Sequence, residues 1–257
     1  MPSTESTPGT DPGVEPRVQA GSDSSTDDTL DLHIPEELTA LIAQERAALA
    51  EPEPSRRPVR PRSPWSGPDL LDCVADWGPA PLNSGSFRLV PVRLDRDLPL
   101  IVRWMNDPAV AAFWNLEGPD EVTAAHLRAQ LDGDGRSVPC LGVLNGTPMS
   151  YWEVYRADLD PIARHYPARP NDTGLHLLIG AVGDRGRGLG TILLRAVSDL
   201  VLDHRPSSHR VIAEPDLRNT PSVAAFLGAG FRFHSEADLP DKRAALVIRD
   251  RAHRHLL

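Results

Sequence analysis

Apolar positions crowd most densely between residues 173 and 202. Leu175, Leu177, Leu178 and Ile179 follow one another almost without polar alternation, the pattern of a strand buried on both faces, and one ionisable side chain, His176, interrupts the run. Further on, Ile192, Leu193, Ala196, Val197, Leu200 and Val201 recur at helical spacing. Arg195 and Asp199 form an i,i+4 pair off that stripe, and Pro206 ends it. A strand, a loop and a helix are predicted in that order.

The same pattern extends outward on both sides. A strand is predicted over residues 87–94, then a helix carrying Leu98, Ile101, Trp104 and Met105, capped by Asp95 or Asp97 and stopped by Asn106-Asp107-Pro108. A second helical pattern runs through Val122, Ala125 and Leu131 to Asp132-Gly133-Asp134-Gly135. Residues 137–144 and 147–155 read as a hairpin, because Asn145-Gly146 is the pair that a two-residue type I′ turn requires. Residues 158–172 read as a loop or short helix. After the central helix, 210–214 is predicted as a parallel strand, 222–227 as a helix, and 231–235 and 244–249 as closing strands. The expected fold is α/β, a mixed central sheet with helices on both faces.

Ahead of this domain the composition changes. Residues 1–29 are Ser, Thr, Pro, Gly and Asp with few apolar groups, too few to offset the entropy of ordering, and are expected to be a disordered acidic tail. Within 30–50, residues 35–50 read as an amphipathic helix bearing Leu38, Leu41, Ile42 and Leu49, with Pro35 and two glutamates in its first turn. It serves either as a docking element for another protomer or pathway enzyme or as a cap on the domain. Residues 51–85 form a Pro- and Arg-rich linker, extended over 51–68, in which Trp65, Leu70, Leu71 and Trp77 are apolar enough to pack on the domain. The domain itself is placed at 86–257.

Across 257 residues, 40% apolar content supplies one sizeable core. A net charge of −9 argues against nucleic acid, since binding phosphates calls for a surplus of basic groups. Cys73 and Cys140 make no disulfide framework. No stretch is long and apolar enough for a bilayer and the first residues lack a basic start and apolar run, so a cytoplasmic location with no membrane partner is expected.

Between the central strand and helix lies Arg185-Gly186-Arg187-Gly188-Leu189-Gly190. Glycines at the mouth of a helix let backbone amides face an anion with no side chain in the way, and phosphate is the natural guest. The order is not that of a dinucleotide fingerprint, and no Gly-Lys-Ser/Thr follows as in a nucleoside-triphosphatase loop.

Arg185-x-x-Gly188-x-Gly190 after an apolar strand resembles the pyrophosphate-binding signature of the GNAT acetyltransferases. Arg218-Asn219-Thr220-Pro221-Ser222-Val223-Ala224-Ala225-Phe226-Leu227-Gly228-Ala229-Gly230-Phe231 resembles their later Asn-helix-Gly-Phe segment. Within that superfamily, Trp104-Met105-Asn106-Asp107-Pro108 with Phe113-Trp114, Tyr151-Trp152-Glu153-Val154-Tyr155, Gly174-Leu175-His176-Leu177-Leu178-Ile179-Gly180, Ala213-Glu214-Pro215-Asp216-Leu217-Arg218-Asn219 and Leu239-Pro240-Asp241-Lys242-Arg243-Ala244-Ala245 look like the siderophore-biosynthesis branch. The resemblance spans residues 87–249. It implies a GNAT fold with acetyl-CoA, or another short acyl-CoA, held by Leu178, Gly180, Arg185, Gly186, Arg187, Gly188, Leu189, Gly190, Thr191, Asn219 and Phe226. His176 and Glu214 would be its catalytic pair.

Acyl transfer from a thioester to nitrogen needs an unprotonated nucleophile, oxyanion stabilisation and a proton for the departing thiolate. His176 titrates in the right range to serve as a base, and Glu214 closes the neighbouring strand, where a carboxylate in a cleft either holds its pKa up or orients His176. Where many GNAT enzymes place a proton-donating Tyr, this chain has Phe226. Trp114, Trp152, Glu153 and Tyr155 are candidates for the acceptor pocket, aromatic walls for an aliphatic chain and a carboxylate for a distal ammonium. Lys242 is the only lysine among 27 basic residues, and a substrate carboxylate or a CoA phosphate is its expected contact. The resulting expectation is transfer of an acetyl or similar short acyl group to the hydroxylamine nitrogen of an N-hydroxylated lysine, ornithine or diamine, forming a siderophore hydroxamate, with no metal in the enzyme. The alternatives are a GNAT enzyme acting on an ordinary primary amine, such as an aminoglycoside or a protein N-terminus, and a catalytically silent CoA-binding module.

Overall fold

Among the described residues, eight strands make one mixed sheet in the order β1-β2-β3-β4-β5-β6-β8-β7. A computed structural model describes residues 71, 74–83 and 85–255. The tail, the helix over 35–50, the extended linker, Trp65, Leu70 and Cys73 lie outside the described residues. Strands β1 (Ala80–Leu82) and β2 (Gly85–Pro91) lead into α1 (Leu94–Met105), α2 (Pro108–Trp114) and α3 (Asp120–Leu131). The hairpin β3 (Ser137–Leu144) and β4 (Thr147–Arg156) precedes β5 (Thr173–Ile179), α4 (Leu189–His204), β6 (Arg210–Ala213), α5 (Thr220–Gly228), β7 (Arg232–Asp238) and β8 (Arg243–Asp250). Among the described residues, no helix is long and apolar enough to cross a membrane.

The hairpin forms as its turn chemistry requires: Leu144 faces Thr147 across two residues that both have positive φ, Asn145 at 49° and Gly146 at 84°. Several local expectations are corrected. Leu94 begins α1 rather than ending a strand, and Asp97 does not start the helix but reaches back from inside it, accepting the Arg93 N–H at 2.8 Å. Asp107 not only follows α1; its carboxylate accepts the Ala109 N–H at 3.0 Å and, with Pro108, opens the unforeseen α2. Helix α3 buries Thr123, Ala124 and Leu127, while Val122 and Leu131 are 38% and 40% exposed. A weakly amphipathic helix takes its inward face from the sheet it meets, not from its few large apolar residues. Asp199 pairs with Arg249 at 2.9 Å, and Arg195 donates to the Gly228 carbonyl at 2.9 Å, so the expected i,i+4 pair is replaced by two longer-range contacts. Residues 80–82, read as linker, supply β1, and Trp77 just before them is buried with its ring stacked on His204.

One face of the sheet packs on α1, α2 and α3 through Ile101, Trp104, Met105, Leu127, Leu141, Tyr151 and Leu178. Trp152 lies fully buried and donates its Nε1–H to Ser150 Oγ at 2.9 Å; Phe87 meets its ring edge-on. Gly142 permits that packing: a Cβ there would stand 2.6 Å from Trp152 Nε1 and 2.7 Å from Phe87.

What positions the site is the one parallel junction. Strand β5 pairs with β4 along the whole length of β5, from Arg156↔Thr173 to Ser150↔Ile179. On the other side β6 pairs with β5 only at Thr173↔Val211 and Gly174↔Ile212. Past Gly174 the two strands part, and the edge of β5 faces an open wedge.

Candidate active site

His176 sits on β5 just beyond the point of parting, directly opposite Glu153 of β4 in the antiparallel register. Its Nδ1 lies 2.7 Å from Glu153 Oε2, and its Nε2 makes a short contact with Glu214 Oε1, on the segment leaving β6. Both carboxylates are buried. Glu153 also receives the His126 Nε2–H at 2.6 Å, the Gln130 amide at 2.7 Å and the Tyr151 hydroxyl at 2.9 Å. Glu214 receives the Tyr155 hydroxyl at 2.7 Å through Oε2, and Lys242 Nζ stands 3.8 Å from its Oε1. The Tyr155 ring tilts over the imidazole at 4.8 Å, an approach possible because Gly174 opposite it has no side chain; a Cβ there would lie 2.0 Å from the Tyr155 ring.

These contacts fix the charges. Burial works against the imidazolium, but Glu214 and Glu153 outweigh it and raise His176 to about 10. Burial likewise opposes both carboxylates, yet donation from His126 and His176 holds Glu153 well below the ordinary carboxylate range, and the His176 cation, Lys242 and Tyr155 bring Glu214 to about 2. At neutral pH both ring nitrogens of His176 therefore donate, one to each ionised carboxylate. Because the folded pKa of His176 lies above its ordinary 6.5, its stabilising contribution is full below about 6.5 and is lost as pH rises toward 10. Urea denaturation should accordingly show the advantage of wild type over His176→Gln greatest near pH 6 and shrinking steadily to pH 10; a gap that is flat or widens with pH contradicts the charge assignment.

Three cavities lie in this region, and one of them, of about 840 Å³, has His126, Glu153, Tyr155 and His176 in its walls. A pocket of about 270 Å³ has His176, Glu153, Glu214, Lys242 and Trp114 in its walls. A larger cleft of about 600 Å³ follows the free edge of β5 through Leu177, Leu178 and Ile179 to Arg185, Gly186, Gly188, Gly190 and Thr191. Asn219, Phe226, Phe113 and Ser222 line both. Gly186 (φ 69°) and Gly188 (φ 76°) adopt the left-handed conformation that shapes the loop, and the first-turn amides of α4 lack intrahelical partners. An anion fits there.

Not every anticipated residue faces these spaces. Arg185 turns inward, donating to the carbonyls of Ile179 at 2.9 Å and Gly180 at 2.7 Å and to Asp107 at 2.9 Å. Gly180 stands against Trp104, its hydrogen pointing at the indole, and neither Gly180, Arg187 nor Leu189 lines the cleft. Trp152 points to the opposite face of β4 from Glu153 and Tyr155 and is corrected from acceptor wall to core. Tyr155 borders the cluster as a clamp on Glu214, and Lys242 meets Glu214 rather than a phosphate site. His126, Gln130, Tyr151 and Phe113 were not foreseen. The Tyr-x-Glu-x-Tyr alternation of β4 is the one signal that places Tyr151 with the other two.

Residues 93–239 match the family described as an acetyltransferase (GNAT) domain. The chain belongs to the GNAT family. It is 38% identical over 184 residues, 71% of this chain and 82% of the relative, to the lysine N-acyltransferase MbtK of Mycolicibacterium paratuberculosis. It is also 38% identical over 169 residues, 65% of this chain and 52% of the relative, to the N(6)-hydroxylysine O-acetyltransferase of Escherichia coli. A crystal structure of an uncharacterised protein of Bacillus halodurans superposes with a TM-score of 0.63 at 32% identity, covering 68% of this chain and 92% of that one. This GNAT protein is an acyl-CoA-dependent N-acyltransferase, and the parted β5 and β6 are the feature of its sheet that leaves room for a ligand.

Proposed function

We propose that the enzyme transfers an acetyl or similar short acyl group from acyl-CoA to the hydroxylamine nitrogen of an N-hydroxylated lysine, ornithine or diamine, forming a siderophore hydroxamate. The observation that carries this reading is the imidazolium of His176 clamped between Glu153 and Glu214. A side chain with both nitrogens donating cannot strip a proton from an alkylammonium of pKa about 10.4. A hydroxylamine is far less basic, is already neutral at pH 7, and sheds its proton only as the new C–N bond makes the nitrogen acidic. A weak base then suffices, and Glu214, ionised and open to the pocket, is that acceptor. His176 is its partner and orients it, a different role from the free base expected from the sequence.

In the wider cleft, Gly186, Gly188, Gly190 and Thr191 would receive the CoA pyrophosphate on backbone amides, and Leu177 to Ile179 the pantetheine along the β5 edge. Phe226 lines the junction of the two cavities and offers no proton, and the Tyr155 hydroxyl is engaged by Glu214. The thiolate accordingly takes its proton from solvent. The names of the two relatives, a lysine acyltransferase and a hydroxylysine acetyltransferase, support the same acceptor class.

The test is release of free CoA thiol from acetyl-CoA with N-hydroxylysine, N-hydroxyornithine and N-hydroxycadaverine beside their parent amines. Turnover is expected with the hydroxylamines. Preference for the parent amines would assign the protein to amine acetylation, and CoA binding without turnover would make it a silent binding module.

A further inference from the structure

We propose that Lys242 makes the reaction pocket reject alkylammonium ions and so selects the N-hydroxylated acceptor over its parent amine. The proposal rests on the acceptor class given above and adds the residue that discriminates within it.

Its basis is the balance of charge around the pocket. Glu153, Glu214 and Asp216 are the three buried carboxylates on its wall, and Asp216 pairs with Arg218 at 2.7 Å. Against the first two stand His176, which bridges both, and Lys242, 3.8 Å from Glu214. His126, also in the pocket wall, donates to Glu153 at 2.6 Å. Asp241, beside Lys242 in the loop between β7 and β8, is exposed at the mouth, where water screens it. Each buried carboxylate is thus matched by a cation already in place. An incoming alkylammonium would find no unmatched anion and would meet two positive charges at short range in a partly desolvated site, where repulsion is strong. A neutral hydroxylamine carries no such penalty, and its N–O oxygen can accept from the Lys242 ammonium.

Lysine at this position also fits its local structure. The Leu239 N–H donates to the Lys242 carbonyl at 2.8 Å, closing the loop so that a four-carbon stem lies along the pocket wall with its side chain largely covered. The other basic residues of the chain are arginines, whose wide planar fork would spread the same charge over a larger volume.

The experiment compares kcat/KM at pH 7.5 for N-hydroxylysine and lysine, with acetyl-CoA saturating, in wild type, Lys242→Met and Lys242→Arg. An acyl-CoA KM near the wild-type value, set by the cleft whose walls do not include this side chain, reports that the variants are folded. Lys242→Met is expected to lower the hydroxylamine-to-amine ratio at least about tenfold, through a gain for lysine, because Glu214 then shares its only remaining cation with Glu153. Lys242→Arg keeps the charge and is expected to keep most of the ratio. A ratio in Lys242→Met within twofold of wild type overturns the role of Lys242, as does an equal fall in both variants. A wild type that itself favours lysine refutes the acceptor class and this role with it; a wild type that favours N-hydroxylysine leaves the class standing whatever the variants do.

Discussion

His176→Ala is expected to lower kcat by about three orders of magnitude, the scale on which loss of a group central to acid–base and electrostatic catalysis is felt. The imidazole bridges Glu153 and Glu214, which are buried and meet no other common partner. Without it, two carboxylates face each other across a cavity, and like charges in a poorly solvated site push one of them to bind a proton. Whichever of the two binds it, Glu214 loses the imidazolium that holds it ionised and oriented toward the pocket. Removing the imidazole also leaves two buried carboxylates short of a partner, so the variant should melt lower. Thiol-release kinetics below its melting temperature, with acyl-CoA affinity measured alongside, separate chemistry from unfolding. Acyl-CoA binding near wild type with kcat reduced a thousandfold is the expected pattern, and kcat within tenfold of wild type would remove His176 from the mechanism.

Arg185→Ala is expected to raise the acyl-CoA KM by about tenfold or more while leaving the turnover of bound substrates less affected. The guanidinium joins three elements at once: the carbonyls at the end of β5, the Asp107 cap of α2, and the glycine loop from which it grows. Hydrogen bonds from a charged donor contribute about 1.5–3 kcal/mol each, and their loss leaves the loop free to sample conformations in which its amides no longer converge. Arg185→Lys should recover little, because one ammonium cannot reproduce a fork that holds two carbonyls and a carboxylate. The measurement is acyl-CoA affinity by calorimetry; an unchanged affinity would mean that the loop holds its shape without this strut.

Much of this architecture is written in local patterns. The Asn145-Gly146 hairpin, the unbroken apolar strand around His176 and the glycine loop ahead of α4 depend on neighbours in the chain, and the corresponding elements form where their residue types require. Helix α3 was legible only as a helix. Its inward face, which brings His126 and Gln130 to Glu153, is chosen by a strand more than twenty residues away. Trp152 shows a different limit. Strand alternation puts it opposite Glu153 and Tyr155, but aromatic character suggested a pocket wall, and parity decides. Glu153 itself was visible as a candidate carboxylate for a distal ammonium, but not that His176, His126, Gln130 and Tyr151 would occupy it and leave no oxygen for that role.

The two-rung ladder between β5 and β6 divides the sheet into a five-stranded and a three-stranded half joined at one corner. That corner is riveted from beneath: Thr173 and Ser208 share a hydrogen bond at 2.9 Å, Arg205 reaches Thr173, and Arg210 lies on buried Asp172 at 3.0 Å. Above the rivet, Glu214 ties the halves together through His176 and Tyr155, and α4 packs on both β5 and β6. A ligand laid into the gap would meet the bare β5 edge, where a neighbouring strand would otherwise pair.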